Sequence, residues 1–228
     1  MAIRGVLFDL DDTLFDHRGA ADRGVRTWLA GLGLDGALDD HVERWFALEA
    51  FHYERYQSRE ISHVDQRRAR IRAFLPGWDL ADDAIADDTF AGYLACYRAA
   101  WSAFADAAAA IEAALGAGLP VGILTNGDQT VQEEKVRRIG LAPYGVPVFA
   151  SSTLPAAKPK PRAFAAACAS LGVDPHGCVM VGDSLHHDVR GATAAGMTAV
   201  LVDRYGRYDR RADAADVRRV RSLAELAW

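Results

Sequence analysis

The chain of 228 residues is poor in cysteine, and it has no apolar run long enough for a membrane span. Its cysteines are scattered among apolar neighbours without a metal-like spacing, and their odd number favours buried, reduced thiols over a redox or nucleophilic role. No run approaches the roughly 20 apolar residues that a membrane-spanning helix needs. The N-terminal segment shows no signal-peptide pattern. We therefore expect a cytoplasmic protein with no membrane partner. The cysteines are Cys96, Cys168 and Cys178.

Basic residues are not in excess either. The formal net charge of −5 argues against a nucleic acid polymer as partner, because that kind of binding needs a basic surface. Apolar residues make up 50% of the chain and charged residues 25%, as in globular proteins with an apolar core. The length fits one domain, or one domain with a large insertion.

Patterns for binding nucleotides are weak in this sequence. Gly31–Gly36 (GLGLDG) has the glycine spacing of a dinucleotide-binding loop. It follows a helical pattern, however, whereas the dinucleotide loop follows a strand. We therefore interpret it as a helix end and a turn. The chain has no P-loop pattern, so nucleotide hydrolysis by that route is unsupported.

Short, branched apolar runs alternate with helical patterns along most of the chain. Buried strands that alternate with helices of about 10 to 12 residues indicate βαβ crossovers. The pattern predicts an α/β fold with a Rossmann-like parallel sheet and helices on both faces. The predicted strands are Ile3–Leu10, Pro120–Thr125, Pro147–Ser151, Cys178–Gly182 and Thr198–Asp203, and the predicted helices are Asp106–Ala117, Thr130–Ile139, Pro161–Leu171 and His187–Ala195.

Residues 16–101 interrupt this alternation, because they contain helical patterns and no convincing strand. We predict that they form an inserted, all-helical cap domain over the carboxyl edge of the sheet. The α/β core domain then comprises residues 1–15 and 102–228. The tail beyond Arg204 is rich in Arg and Asp and ends in a short amphipathic segment, Leu223–Trp228.

Carboxylates follow the first predicted strand, where parallel sheets place their ligands. Asp9 and Asp11 are two residues apart, so an extended backbone directs both side chains to one side. Neighbouring carboxylates repel each other unless they share a cation or a proton. This cost makes a purely structural role unattractive. The alternative is a helix N-cap cluster, with Asp12 or Thr13 as the capping residue.

The ends of the next two strands carry groups suited to phosphate. Thr125 and Asn126 offer donors to phosphate oxygens, and Gly127 allows close backbone approach. The alternative is an ordinary strand-to-helix turn with Asp128 as the N-cap. After the third strand, Lys158 stands out because the chain otherwise prefers arginine, and a compact ammonium acts on phosphate as a point charge.

The sequence has two other lysines, Lys135 and Lys160. Lys160 is interpreted as an exposed loop residue. Pro161 suits the first position of the helix that follows.

The fourth predicted strand ends at Asp183, and Asp188 lies five residues further on. Mg²⁺ prefers such hard oxygen ligands. His186 and His187 lie between the two aspartates and leave zinc as an alternative. Magnesium is favoured because the other candidate ligands are oxygens.

Taken together, these motifs resemble those of the haloacid dehalogenase-like hydrolase superfamily. The chain has Asp-x-Asp-x-Thr, Thr-Asn-Gly, Lys-Pro-Lys-Pro and Gly-Asp-Ser-x-x-x-Asp in order, from Asp9 to Asp188. The helical insertion after the first motif resembles a type-1 cap. The dehalogenases of this superfamily lack an acid at the position of Asp11, so its presence here favours hydrolysis of phosphate esters.

The resemblance also implies roles for the site residues. Asp9 is the expected nucleophile, Asp11 the expected acid and base, and Lys158 the expected third catalytic residue. Thr125 and Asn126, together with Asp9 and Lys158, are expected to bind phosphate. Asp11 must be protonated in the first step, and we expect the neighbouring Asp9 to raise its pKa. The expected ligands of Mg²⁺ are Asp9, Asp11 through its backbone carbonyl, Asp183, and Asp188 in a supporting position.

These features predict a Mg²⁺-dependent phosphatase that forms an aspartyl-phosphate intermediate. The expected partner is a small phosphorylated metabolite, such as a nucleoside monophosphate or a sugar phosphate, and the expected assembly is a monomer or homodimer. Alternatives are a phosphomutase, a 2-haloacid dehalogenase or a non-catalytic protein that binds a phospho-ligand.

Overall fold

The structure, a computed structural model, describes residues 3–34, 36–209 and 214–228. The chain forms two compact units. The first comprises Met1–His17 and Trp101–Trp228, and the second comprises Arg18–Ala100. The first unit contains the β-sheet, and the described residues of the second are helical or lie in turns. The role of the second unit as a cap stays a prediction.

The first unit is built on a parallel sheet of six strands in the order β3-β2-β1-β4-β5-β6, as far as the described residues show. The chain steps outward from β1 to β3 on one side and then continues from β4 on the other. The order therefore reverses beside β1. The prediction of a Rossmann-like parallel sheet is confirmed. The strands are β1 (Gly5–Phe8), β2 (Val121–Thr125), β3 (Val148–Ala150), β4 (Cys178–Gly182), β5 (Thr198–Val202) and β6 (Arg219–Val220).

The inner strands are buried along their whole length, which explains why they appear in the sequence as continuous apolar runs. Leu7 and Leu124 pack in one apolar cluster with Phe164, which lies in the helix after β3. The neighbouring Phe8 meets the ring of Trp228 edge-on at 5.9 Å between centroids. The helices of this unit, apart from short single turns, are α5 (Ala107–Gly116), α6 (Gln129–Arg138), α7 (Pro161–Ser170) and α8 (Gly191–Ala194).

The segment after β4 differs from its prediction. In place of a helix over His187–Ala195, a π-helical turn at Leu185–Arg190 leads directly into α8. The Ser184 hydroxyl accepts a hydrogen bond from the His187 amide at 3.1 Å. Ser184 is therefore an N-cap, and the helical segment begins earlier than the apolar pattern indicates. β6 escaped prediction because it is only two residues long.

The second unit has an aromatic core. Trp45 packs 4.3 Å from the ring of Tyr93 and 4.9 Å from that of Phe74, between centroids. Arg70 is buried over the face of Trp45 and pairs with Glu49 at 2.8 Å. None of the helices within the described ranges is long and apolar enough to cross a membrane. The helices that contribute are α1 (His17–Gly31), α2 (Leu38–Gln57), α3 (His63–Phe74) and α4 (Asp83–Ala99).

Candidate active site

The predicted site residues of the first unit meet where the strand order reverses. Asp9 follows β1, and its backbone amide still donates to Val181 of β4 at 2.8 Å. Asp183 follows β4 directly, while Thr125 is the last residue of β2. Because parallel strands share one carboxyl edge, the topology collects these side chains at the place where α/β sheets bind ligands.

Lys158 places a buried cation in this site. It is 5% exposed, and its Nζ lies 2.5 Å from Oδ1 of Asp9 and 2.6 Å from Oδ1 of Asp188. Burial lowers the pKa of Lys158, but Asp188 and Asp9 outweigh that effect and hold it above its usual value. Lys158 therefore stays charged.

Asn126 holds the backbone of Lys158. Its side-chain oxygen accepts from the Lys158 amide at 2.9 Å, and its side-chain nitrogen donates to the Lys158 carbonyl at 3.0 Å. Both polar ends of this amide are thus engaged with Lys158. Contact of Asn126 with phosphate stays a prediction, and the observed geometry gives Asn126 a positioning role.

Three carboxylates form an acidic cluster at the sheet edge. Each of Asp9, Asp183 and Asp188 offers an oxygen, and these oxygens all lie within 4.8 Å of one another. The second oxygen of Asp188 accepts from the Ser184 amide at 2.9 Å. Gly182 makes room for this arrangement, because a Cβ at that position would overlap the carboxyl group of Asp188.

Burial and neighbouring carboxylates raise the pKa values of Asp9 and Asp183. Burial raises the pKa of Asp9 well above its usual value, and Asp188 and Asp183 add to the rise against the opposing effect of Lys158. Burial and the carboxylates of Asp188 and Asp12 raise the pKa of Asp183 to about 7. An added cation would relieve both carboxyl groups.

Asp11 lies beyond the end of β1, where it forms an isolated bridge with Phe15 that closes a turn. β1 ends at Phe8, and the amides of Thr13, Leu14 and Phe15 all turn back to the Leu10 carbonyl. The expectation that an extended backbone directs Asp9 and Asp11 to one side stays a prediction. The carboxyl groups of Asp9 and Asp11 have separate partners, because Asp11 meets helix α6.

Two side chains of α6 hold the Asp11 carboxyl group. Nζ of Lys135 lies 2.6 Å from Oδ1, and Nε2 of Gln132 lies 3.2 Å from Oδ2. Burial raises the pKa of Asp11, but Lys135 and His17 outweigh it, so the pKa lies below its usual value. The expected rise caused by Asp9 is therefore wrong for this structure.

Thr125 is almost fully buried, and its hydroxyl accepts from Gln132 Nε2 at 2.6 Å. Its predicted contact with phosphate is untested. The Asp128 side chain caps α6 by accepting from the Val131 amide at 3.1 Å, as the N-cap alternative anticipated. Capping by Asp128 is compatible with a functional role for Thr125, because the cap uses the side chain of a different residue.

Arg207 is a site residue that sequence reasoning missed. Its guanidinium lies 2.7 Å from Oδ2 of Asp183. The loop that carries it is fixed by the buried Asp203, which accepts from the amides of Arg207 and Tyr208 at 2.7 and 3.1 Å. The tail is rich in arginine, so no pattern in the sequence distinguished this one.

The histidines do not join the acidic cluster of the described residues. Nδ1 of His187 lies 3.2 Å from the Ser184 hydroxyl, and the rings of His186 and His187 meet edge-on. The oxygen-only cluster favours magnesium over zinc in the same way as the sequence did.

Comparison with known proteins places this geometry in a family. A model of the haloacid dehalogenase-like hydrolase family matches residues 3–196. Glyceraldehyde 3-phosphate phosphatase from Methanopyrus kandleri is 32% identical over 210 residues, which cover 90% of this chain and 86% of that protein. N-acylneuraminate-9-phosphatase from Mus musculus is 28% identical over 221 residues, which cover 90% and 84%.

A solved structure shares the fold. The HAD-hydrolase YfnB from Bacillus subtilis, in a crystal form bound to magnesium, superposes with a TM-score of 0.79 at 20% identity. The match covers 99% of this chain and 97% of that one. The fold, the order of the motifs and the family match agree, and the chain belongs to the haloacid dehalogenase-like hydrolase family.

Proposed function

We propose that this chain is a Mg²⁺-dependent phosphatase that hydrolyses small-molecule phosphomonoesters through an aspartyl-phosphate on Asp9. The observation that carries the proposal is the buried Asp9 carboxylate, which meets the Lys158 ammonium at the edge of the sheet. A nucleophile beside a fixed cation suits attack on an anionic phosphoryl group. The names of the similar phosphatases support the same reaction class.

The first step transfers the phosphoryl group to the enzyme. An Asp9 carboxylate oxygen forms a bond to phosphorus, and the bond from phosphorus to the ester oxygen breaks. The leaving oxygen keeps the electron pair of that bond and takes a proton from the Asp11 carboxyl group. The second step hydrolyses the intermediate. Water attacks phosphorus, Asp11 takes its proton, and the bond to Asp9 breaks to release phosphate.

Charge on the phosphoryl oxygens is offset by Lys158 in both steps. Its ammonium is buried between Asp9 and Asp188. Asn126 fixes the backbone that carries it, so it needs little rearrangement. Thr125 ends the neighbouring strand, where its hydroxyl is oriented by Gln132. We assign Thr125 to one of the remaining phosphoryl oxygens.

The residues present fit a magnesium ion. Asp9, Asp183 and Asp188 bring carboxylate oxygens together. The pKa values of Asp9 and Asp183 are raised by burial and, in addition, by neighbouring carboxylates. Asp9, Asp183 and the Asp11 backbone carbonyl would hold the ion, with Asp188 in support. When bound, Mg²⁺ supplies positive charge that offsets the charge of the transferring phosphoryl group.

The alternatives differ in what they require of the residues. A 2-haloacid dehalogenase releases halide, which needs no proton, so it leaves Asp11 without a task. A non-catalytic binder has no use for a nucleophile and an acid together. A phosphomutase would use the same residues but return the phosphoryl group to a substrate instead of water.

We propose small phosphorylated metabolites as substrates, with sugar phosphates and nucleoside monophosphates first. The test measures phosphate release from glyceraldehyde 3-phosphate, N-acylneuraminate 9-phosphate, a nucleoside monophosphate and 4-nitrophenyl phosphate. Each is assayed with Mg²⁺ and with EDTA. Release that needs Mg²⁺ and disappears in Asp9→Asn supports the proposal.

Other outcomes contradict it. If no ester releases phosphate, the chain is not a phosphatase. If phosphate is instead recovered on a second position of the substrate, the phosphomutase alternative is correct. If Asp9→Asn retains wild-type turnover, the covalent mechanism is wrong.

A further inference from the structure

Helix α6 buries polar side chains where an amphipathic helix normally buries apolar ones. Gln132, Lys135 and Val136 form its buried face, and Lys135 is 7% exposed. Placing an ammonium here costs solvation, and the cost is offset only if a partner of opposite charge meets it. The reaction steps above do not use Lys135. Its position therefore needs another explanation.

The partner of Lys135 is Asp11. Nζ lies 2.6 Å from Oδ1, and Gln132 occupies the other oxygen at 3.2 Å. Nζ also lies 5.1 Å from the centre of the buried Phe15 ring, at the far end of the turn that carries Asp11. Lys135 thus fixes both the Asp11 carboxyl group and the turn on which Asp11 sits.

The contact covers one side of Asp11 and leaves another open. The Lys135 side chain is 9% exposed, whereas that of Asp11 is 31% exposed. A carboxyl group anchored on one side and accessible on the other is suited to exchange protons with a bound molecule in a fixed direction.

We propose that Lys135, assisted by Gln132, is a positioning residue that holds the Asp11 carboxyl group in line with the ester oxygen of the substrate. This inference rests on the proposed phosphatase function and adds a residue to it. Without Lys135 the side chain of Asp11 can rotate. Removal of Lys135 also raises the pKa of Asp11 and so favours its protonated form. We expect the loss of alignment to outweigh this gain, so that transfer of the proton to the leaving oxygen becomes less frequent.

The test compares esters that need this proton to different degrees. An alkyl phosphate such as glyceraldehyde 3-phosphate leaves as a basic alkoxide and needs the proton, whereas 4-nitrophenyl phosphate leaves as a stabilised phenolate. The readout is kcat/KM, because it covers the steps up to departure of the leaving group. Hydrolysis of the aspartyl-phosphate, which is the same for every ester, does not enter it.

For Lys135→Met we expect kcat/KM for the alkyl ester to fall about 10- to 100-fold, part of the about 10²- to 10⁴-fold that a positioned acid contributes. For 4-nitrophenyl phosphate we expect a loss below about threefold. Asp11→Asn should show the same pattern more strongly. Lys160→Met is the matched control, because this exposed lysine undergoes the same substitution, and it should leave both values unchanged.

Lys135→Gln is a second variant, which keeps a donor and places no apolar group against Asp11. It should show the same pattern with a smaller loss. Circular dichroism and the thermal midpoint confirm that each variant is folded. If both variants lose the same factor with both esters, Lys135 is only structural and the inference is wrong. If the wild type hydrolyses no ester at all, the proposed function fails first and the inference falls with it.

Discussion

The ammonium of Lys158 lies 2.5 Å from Oδ1 of Asp9, and the two residues are 149 positions apart in the sequence. This cation faces more negative charge than it can neutralise, because Asp188 and Asp183 stand beside Asp9. Burial is the main reason that the pKa of Asp9 lies above its usual value, and this excess of negative charge adds to the rise although Lys158 opposes it. The site therefore keeps buried, neighbouring carboxyl groups although their ionisation lowers the stability of the folded protein.

Asp9→Asn should abolish turnover and stabilise the metal-free protein. A carboxyl group whose pKa is raised by folding is destabilised in its ionised form, and the amide removes that charge. We expect the free energy of unfolding in EDTA near neutral pH to rise by on the order of 1 kcal/mol. Urea denaturation measures it.

Asp11→Asn is the matched control for this effect. Its pKa is lowered by Lys135 and His17 against the effect of burial, so its ionised form is stabilised by folding. The amide should therefore lower the free energy of unfolding, in contrast to Asp9→Asn. The same sign for both substitutions would contradict the charge distribution described here.

The stability of the metal-free protein should depend on the ionisation of Asp183. Its pKa rises to about 7 in the folded protein, from about 3.9 in an unfolded chain. The folded state binds more protons between these values, so stability is highest at the acidic end of this window and falls as pH rises through it.

In EDTA, Asp183→Asn should remove much of this slope, which amounts to at most roughly 1.4 kcal/mol per pH unit for one group. Thermal midpoints at several pH values, with and without Mg²⁺, test this. An unchanged slope in Asp183→Asn would show that other groups cause the pH dependence.

The inner strands were predictable because they are buried on both faces and appear in the sequence as apolar runs. Lys158 was predictable for a chemical reason, since lysine is rare in a chain rich in arginine. The partners of Asp11 were not predictable, because they lie on α6 and a turn in which Asp12 adopts a φ of 60° follows Asp11. No local pattern requires that conformation of an aspartate.

The residues of α6 and of the tail loop were missed for a different reason. Lys135 and Arg207 reach the site through tertiary contacts, and both lie in segments crowded with charged residues. One signal was available. The α6 segment is too polar to bury an apolar face, although a helix in an α/β fold has to pack on the sheet.

Gly182 should not tolerate a side chain. The Cβ of Gly182→Ala would overlap the Asp188 carboxyl group, which would then lose its contacts with Lys158 and the Ser184 amide. We expect a loss of at least about tenfold in kcat/KM and a destabilisation of about 1 to 3 kcal/mol.

The control for this substitution is Gly116→Ala at the end of α5. A Cβ there meets nothing within 4 Å, and alanine favours the helix. Its turnover should equal that of the wild type, and its thermal midpoint should not fall. If Gly182→Ala behaves in the same way, Asp188 is not fixed as the structure describes.

Asp106 binds the tail to the rest of the first unit. Its loss should destabilise the protein without a change at the acidic cluster. Its carboxyl group accepts from Arg204 at 2.8 and 3.0 Å, from the Ser222 hydroxyl at 2.6 Å and from the Leu223 amide at 2.8 Å. Asp106→Asn leaves the Arg204 side chain, which is 10% exposed, without its countercharge. We expect a loss of about 2 to 4 kcal/mol near neutral pH.

The loss should depend on pH in a defined direction. Burial raises the pKa of Asp106, but Arg204, Ser222 and Leu223 outweigh it, so the folded pKa lies below its usual value. The stabilisation is therefore complete above about pH 4 and disappears as pH falls through the folded pKa. The difference between the wild type and Asp106→Asn in urea denaturation should shrink over that range.

The exposed Asp216 gives the control, because Asp216→Asn should cost less than about 0.5 kcal/mol at every pH. A difference for Asp106→Asn that stays constant with pH would show that the carboxylate charge does not hold the tail.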